Sequence, residues 1–222
     1  MPALTIENLT VDIPDGRRLL GVPALRVAQG ECLAIKGPSG AGKSTLLLAL
    51  AGLVPAMQGR VLWGDVDLVK EPEAQRTAFR GRTFGIVFQN HLLFDELSAE
   101  ANASLSSLFA PAGQRQSIRA KASAALSDLG LRAGVGRRTS TYSGGERQRI
   151  AVARALAGDP PVILADEPTA SLDRDTADGL IADLFSDAKQ NGRTLIVVSH
   201  DPSVLAAADR VITVKDGRLE AA

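Results

Sequence analysis

The sequence predicts an α/β protein: a mainly parallel sheet flanked by helices, with a helical lobe inserted in it. Three observations lead there. Short apolar runs recur along the chain without strict alternation, as strands buried on both faces require. Longer helical patterns lie between those runs. One stretch, 98–139, is rich in Ala, Ser and Arg and holds helical patterns but no convincing strand.

In chain order, strands are expected at 4–6 and 31–36, then a helix over 43–53 and a strand over 84–88. The lobe follows, broken near Pro111-Ala112-Gly113. A helix over 145–157, a strand over 162–165, a helix over 176–190 and strands over 194–198 and 211–214 complete the pattern. Lys215-Asp216-Gly217-Arg218 is a turn signal for a small closing hairpin. The whole reads as a single domain over 1–222, with a core at 1–89 and 156–222 and the lobe at 90–155.

Composition narrows the function classes. The 222 residues are enough for one generous domain without covalent staples, and the single cysteine, Cys32, forms no internal disulfide. Lys+Arg 25 balance Asp+Glu 25, so no basic excess points to nucleic acid or to an anionic membrane surface. The N-terminus has no targeting pattern, and the longest apolar run, 46–57, is interrupted by Gly52 and Pro55. A soluble, cytosolic chain is expected, one that can still dock on something embedded in a membrane.

Gly37-Pro38-Ser39-Gly40-Ala41-Gly42-Lys43-Ser44-Thr45 fits the phosphate-binding pattern G-x-x-x-x-G-K-[ST]. Glycines let the backbone curl until successive N–H groups face phosphate oxygens. Lys43 supplies a flexible ammonium for the outer phosphates and Ser44 a hydroxyl for Mg²⁺. The helix that starts there aims its positive end at the anion. Further on, Asp166 and Glu167 end an apolar run, where a buried carboxylate needs a compensating cation. Asp166 is assigned to the metal. Glu167, expected to point the other way along the pleat, is assigned to orienting or deprotonating water. His200 and Gln89 each follow another apolar run and would reach the same sheet edge. The imidazole suits a γ-phosphate, and the Gln89 carbonyl suits metal or water.

Tyr142-Ser143-Gly144-Gly145-Glu146-Arg147-Gln148-Arg149 combines a capping box, Ser143 with Glu146, with two glycines that bare N–H groups at a positive helix end. That is a second anion site. Two phosphate-gripping surfaces for one nucleotide invite a sandwich of two chains.

Together these motifs resemble the ATP-binding-cassette (ABC) transporter ATPase family, in order and spacing along essentially the whole chain. The correspondence runs from the phosphate loop through Gln89, 142–146 and 162–167 to the Ala170-Ser171-Leu172-Asp173 turn and His200. The resemblance implies a P-loop NTPase core with an antiparallel β part at its N-terminal side, and hydrolysis of Mg-ATP. It also implies a head-to-tail dimer in which Ser143, Gly144 and Gly145 of one copy face the Lys43 loop of the other. Glu167 would then position the attacking water, His200 would contact the γ-phosphate, Asp173 would cross the dimer interface, and Gln89 would link the nucleotide to the lobe. The wording around 142–149 and 164–169 is similar to the lipoprotein-releasing and macrolide-export type, which drives an integral membrane subunit and sits on the inner face of the membrane through it. Leu92, Leu93 and Phe94, beside Gln89, either dock that subunit or pack the lobe onto the core. One departure stands out: no aromatic precedes Trp63, and Ile13 takes the place of an adenine-stacking ring. Two other functions stay open at this point, a non-transport ABC ATPase acting on nucleic acid or ribosomes and a scaffold that binds ATP without hydrolysing it.

Overall fold

The structure, a computed structural model, describes residues 2–13, 15–131 and 137–220. Strands β1 (Leu4–Asp12), β2 (Arg18–Val27) and β3 (Cys32–Lys36) open the chain. Helix α1 (Lys43–Leu50) leads to β4 (Met57–Trp63), the short β5 (Val66–Asp67), α2 (Glu73–Thr83) and β6 (Phe84–Val87). The lobe then supplies α3 (Ala99–Ala103), a 3₁₀ turn at Leu105–Leu108, α4 (Ala112–Asp128), a second such turn at Thr139–Thr141, and α5 (Gly144–Leu156). The last stretch alternates β7 (Val162–Asp166), α6 (Arg174–Gln190), β8 (Thr194–Val198) and α7 (Pro202–Ala207) before β9 (Arg210–Lys215) and β10 (Arg218–Leu219).

The strands lie in the order β5-β4-β1-β2-β10-β9-β3-β8-β7-β6. From β9 to β6 all neighbours are parallel, while β1 pairs antiparallel with both β2 and β4. The expected closing hairpin joins β9 to β10, with Asp216 and Gly217 both at positive φ as a tight hairpin requires.

β2 and β4 answer to no run read from the sequence, because each carries residues that usually break strands. In β2 these are Gly21 and Pro23. The Gly21 N–H bonds to the Gly217 carbonyl on the β10 side, and Pro23, two residues on, has no N–H to carry that ladder further, so β10 pairs with β2 at Gly21 alone. In β4, Gly59 sits at φ +92 against β1. A Cβ at that position would come within 2.2 Å of the Asn8 carbonyl oxygen, so the close approach accepts glycine alone.

Helices cover both faces of the parallel strands, as period-two alternation dictates. Val162 and Leu164 of β7 join the cluster that includes Leu46, Leu47 and Leu50 of α1. Ile163 and Ala165 face Leu180, Leu184 and Phe185 of α6. The lobe has its own apolar cluster, built from Ala103, Ala122, Leu126 and Tyr142. Helix α5 serves two clusters at once: Ile150 and Ala153 pack in the lobe, Val152 and Ala155 against the core. This layering leaves the carboxyl ends of β3, β6, β7 and β8 on one open edge, where ligands sit in such sheets.

Candidate nucleotide site

Between β3 and α1 the chain curls tightly. Gly37 lies at φ +152, and a Cβ there would stand 2.0 Å from the Val214 carbonyl oxygen. Gly42 caps α1 at φ 97 without a side-chain bond, so the first N–H groups of that helix keep no side-chain partner and aim into the loop's mouth. The Lys43 ammonium donates to the Gly37 and Pro38 carbonyls, both at 2.9 Å. It is folded over the loop it would release on meeting a phosphate.

A pocket of ≈ 540 Å³ opens above this loop. It is lined by Gly37, Pro38, Ser39, Gly40, Lys43 and Ser44, and also by Gln89, Asp166, Glu167 and His200. Four strand ends therefore deliver their polar side chains to one cavity. Ala41, Gly42 and Thr45 line a smaller adjoining recess with Leu19.

Asp166 is buried, and its Oδ1 has no hydrogen-bond partner. Burial raises its pKa, with the nearby Glu167 charge adding to the effect, while a Ser44 hydrogen bond and the Lys43 charge pull the other way. An orphaned carboxylate oxygen beside a hydroxyl is a hard-oxygen donor set suited to Mg²⁺. Among the described residues no group of three His, Cys, Asp or Glu could hold a metal alone. A cation here would need, besides Ser44 and Asp166, oxygens that a ligand brings.

Glu167 departs from the sequence expectation. It lies beyond β7 at φ 48, in the left-handed region, so pleat alternation no longer sets its direction. The turn is held by its N–H bonding to the Val198 carbonyl at 2.9 Å. It faces the same pocket as Asp166, with Oε1 3.0 Å from His200 Nδ1 and Oε2 3.5 Å from the Ser199 hydroxyl. The carboxylate is mostly covered, the imidazole 79% exposed.

Ser143, Gly144, Gly145 and Asp173 do not line this pocket. Ser143 caps α5 through the complete capping box with Glu146. The box engages the Ser143 and Glu146 amides and leaves those of Gly144 and Gly145 outside it. Both glycines lie against the turn after Glu167: a Cβ on Gly145 would come within 2.9 Å of Leu172, and one on Gly144 within 3.6 Å of Ser171. Asp173 caps α6, accepting from the Thr176 N–H and hydroxyl, bonds that hold its pKa low.

The three residues named for docking divide. Leu93 packs against the lobe cluster, whereas Leu92 and Phe94 stand exposed. Three more large apolar side chains are exposed, Leu53 and the pair Leu108 and Phe109, the last of them 86% exposed. The signal available was the pair's place just before the break at Pro111. A groove of ≈ 290 Å³ between core and lobe, lined by Leu53, Phe84, Ile86 and Phe88, reaches the same 3₁₀ turn at Ser106.

Comparison with known proteins agrees with this fold. The family model described as "ABC transporter" matches residues 21–170. The lipoprotein-releasing system ATP-binding protein LolD 1 of Rhodospirillum rubrum is 36% identical, over 99% of this chain and 98% of its own length. LolD of Bordetella pertussis is 39% identical over 99% and 96%. A dimeric ATP-binding cassette in a post-hydrolysis state, bound to ADP and Pi, superposes with a TM-score of 0.89 at 31% identity, covering 98% of this chain and 97% of that one.

Proposed function

The chain belongs to the ABC transporter family as an ATP-binding, ATP-hydrolysing subunit, and from that premise we propose that two copies close head to tail on two Mg-ATP to drive a separate integral membrane subunit. One observation carries the reading. The pocket over the phosphate loop gathers Gln89, Asp166, Glu167 and His200, while the open amides of Gly144 and Gly145 lie outside it. A second copy turned end for end supplies them, and the solved dimer of a similar cassette supports the arrangement.

Each residue then has a task. The loop amides and Lys43 take the outer phosphates, Lys43 exchanging the Gly37 and Pro38 carbonyls for phosphate oxygens. Ser44 and Asp166, with Gln89 at the edge, would hold Mg²⁺, which would supply charge to neutralise the phosphates. Ser143, Gly144 and Gly145 of the second copy close over the γ-phosphate with their dipole end. The water oxygen bonds to the γ-phosphorus as the bridge to the β-phosphate breaks, and ADP and inorganic phosphate leave. Glu167 orients that water and faces the proton it sheds. His200 braces Glu167 through the 3.0 Å contact and reaches the γ-phosphate from its exposed side. Such transfer relies on positioning and charge more than on covalent catalysis. Asp173, at the start of α6, crosses to the second copy.

The membrane subunit is inferred from the exposed apolar rim. Leu92, Phe94, Leu108 and Phe109 are exposed, and the groove between core and lobe runs from Phe88, next to Gln89, to Ser106 in the turn that ends at Leu108; together they suit a partner helix with an apolar face. No helix among the described residues is long and apolar enough to cross a membrane. The cytoplasmic face, reached through such a subunit of the lipoprotein-releasing kind, fits the named relatives.

Complementation tests the two-chain site. Lys43→Ala and Ser143→Arg variants are each expected to lack ATPase activity. Mixed, they form a pair in which one site joins an intact loop to an intact α5 start, and hydrolysis returns. No activity in the mixture, with both variants folded, overturns the head-to-tail reading.

A further inference from the structure

The path from the nucleotide pocket into the lobe is short and unusually constrained. Gln89 lines the pocket just after β6, and from Phe94 onward the chain is fixed to the lobe. Asn102, fully buried on α3, accepts from the Phe94 N–H at 2.8 Å and donates to the Phe94 carbonyl at 2.9 Å. It also donates to the Thr139 hydroxyl at 2.9 Å, ahead of the Ser143 cap. Between Gln89 and Phe94 lie two consecutive non-glycine residues in the left-handed region, His91 at φ 58 and Leu92 at φ 48. Side chains disfavour that conformation, so something must hold it.

Arg154 does so. From the far end of α5 its guanidinium donates through Nη2 to the His91 carbonyl at 2.7 Å and through Nη1 to the Leu92 carbonyl at 2.5 Å. Burial lowers its pKa and no carboxylate contributes to the shift, so those carbonyls are its compensation. The fork is bidentate, which fixes direction as well as distance.

We infer that Arg154 is a positioning residue: it ties the turn behind Gln89 to α5, so that the helix whose first residues meet a second copy's nucleotide also sets Gln89 in its own pocket. With 91–92 held by Arg154 and Phe94 held by Asn102, Asn90 alone separates Gln89 from a segment carried by the lobe. A shift of α5 therefore reaches Gln89 through one residue rather than through a slack loop. This inference rests on the assignment of Gln89 to the nucleotide site.

The test is steady-state Mg-ATPase kinetics of the full chain, with thermal unfolding measured alongside. Arg154→Met removes both donors and lowers kcat about ten- to a hundredfold, the scale on which misplacing a catalytic group by an ångström acts. KM for ATP stays within about twofold, because the phosphate loop is untouched. Arg154→Lys, which reaches one carbonyl at most, falls in between. The deciding variant is Leu92→Gly in the Arg154→Met background. Glycine takes a positive φ without strain, so the turn holds without its clamp and most of kcat returns. Equal losses of kcat with and without Leu92→Gly, or a rise in KM matching the fall in kcat, would overturn the inference. Gln89→Ala keeps the two failures apart. If it lowers kcat while Arg154→Met does not, the inference falls alone. If neither lowers kcat, the assignment of Gln89 falls and the inference with it.

Discussion

The sheet edge and the lobe use the same kinds of side chain to different ends. At the edge, β7 and β8 are buried along their whole length and release polar groups only where they stop, so Asp166, Glu167 and His200 arrive in one pocket by backbone geometry alone. The lobe has a small apolar cluster rich in alanine, and its order depends on hydrogen bonds from single polar residues such as Asn102 and Arg154. Chemistry is thus built on the rigid half, and the half that must answer to partners is pinned at a few points.

The sharpest way to break this comparison is at the rigid edge. Glu167→Gln keeps the pocket's shape and is expected to retain ATP binding while lowering turnover by roughly 10²–10⁴-fold. Single-turnover hydrolysis at the wild-type rate would remove Glu167 from the mechanism. The lobe's dependence on single bonds comes next. Asn102→Ala removes the fully buried amide that bonds the Phe94 N–H and carbonyl and the buried Thr139 hydroxyl, and is expected to cost about 1–3 kcal/mol of stability. Chemical unfolding that reports less than about 0.5 kcal/mol would show that the lobe is held by packing instead.

A smaller effect probes the exposed rim. Phe109→Asp changes stability and the ATPase rate of the chain alone by little, since the ring touches solvent over most of its surface. It is expected to weaken binding to the purified membrane subunit by about 2 kcal/mol or more, as loss of a buried aromatic anchor does. Unchanged binding would move the docking surface elsewhere.

The smallest effect is a pH dependence in the lobe. Burial, with the charges of Arg147 and Arg154, holds the His91 pKa below its ordinary value against the opposing influence of the nearby Gln148 amide. A histidine depressed in the folded state takes up its proton more readily when unfolded. Its stability contribution is therefore complete above the unfolded value, about pH 6.5, and declines as pH falls through the folded one. His91→Gln is expected to flatten that slope in unfolding midpoints, and an identical slope would assign it to other groups.

How much of this was legible follows the same division. The phosphate loop, Asp166, Glu167, Gln89 and His200 could be read because each stands at the end of a buried strand or inside a glycine pattern, both local features. The split among Leu92, Leu93 and Phe94 could not, because two left-handed residues in a row shift which side chains face outward. The same φ reversal at Glu167 defeated the alternation rule by one residue. β2 and β4 were hidden by Pro23 and Gly59, whose tolerance depends on a pairing with β10 confined to Gly21 and on a neighbouring strand that comes too close for a side chain. Asn102 and Arg154 left no pattern, since their partners are backbone atoms brought together only by the fold.

The proposed mechanism requires that nucleotide join two copies. Light scattering of the Glu167→Gln variant saturated with Mg-ATP measures this: the mass should double relative to the nucleotide-free protein and return to one chain when Lys43→Ala is added. A single-chain mass at saturating nucleotide would contradict it.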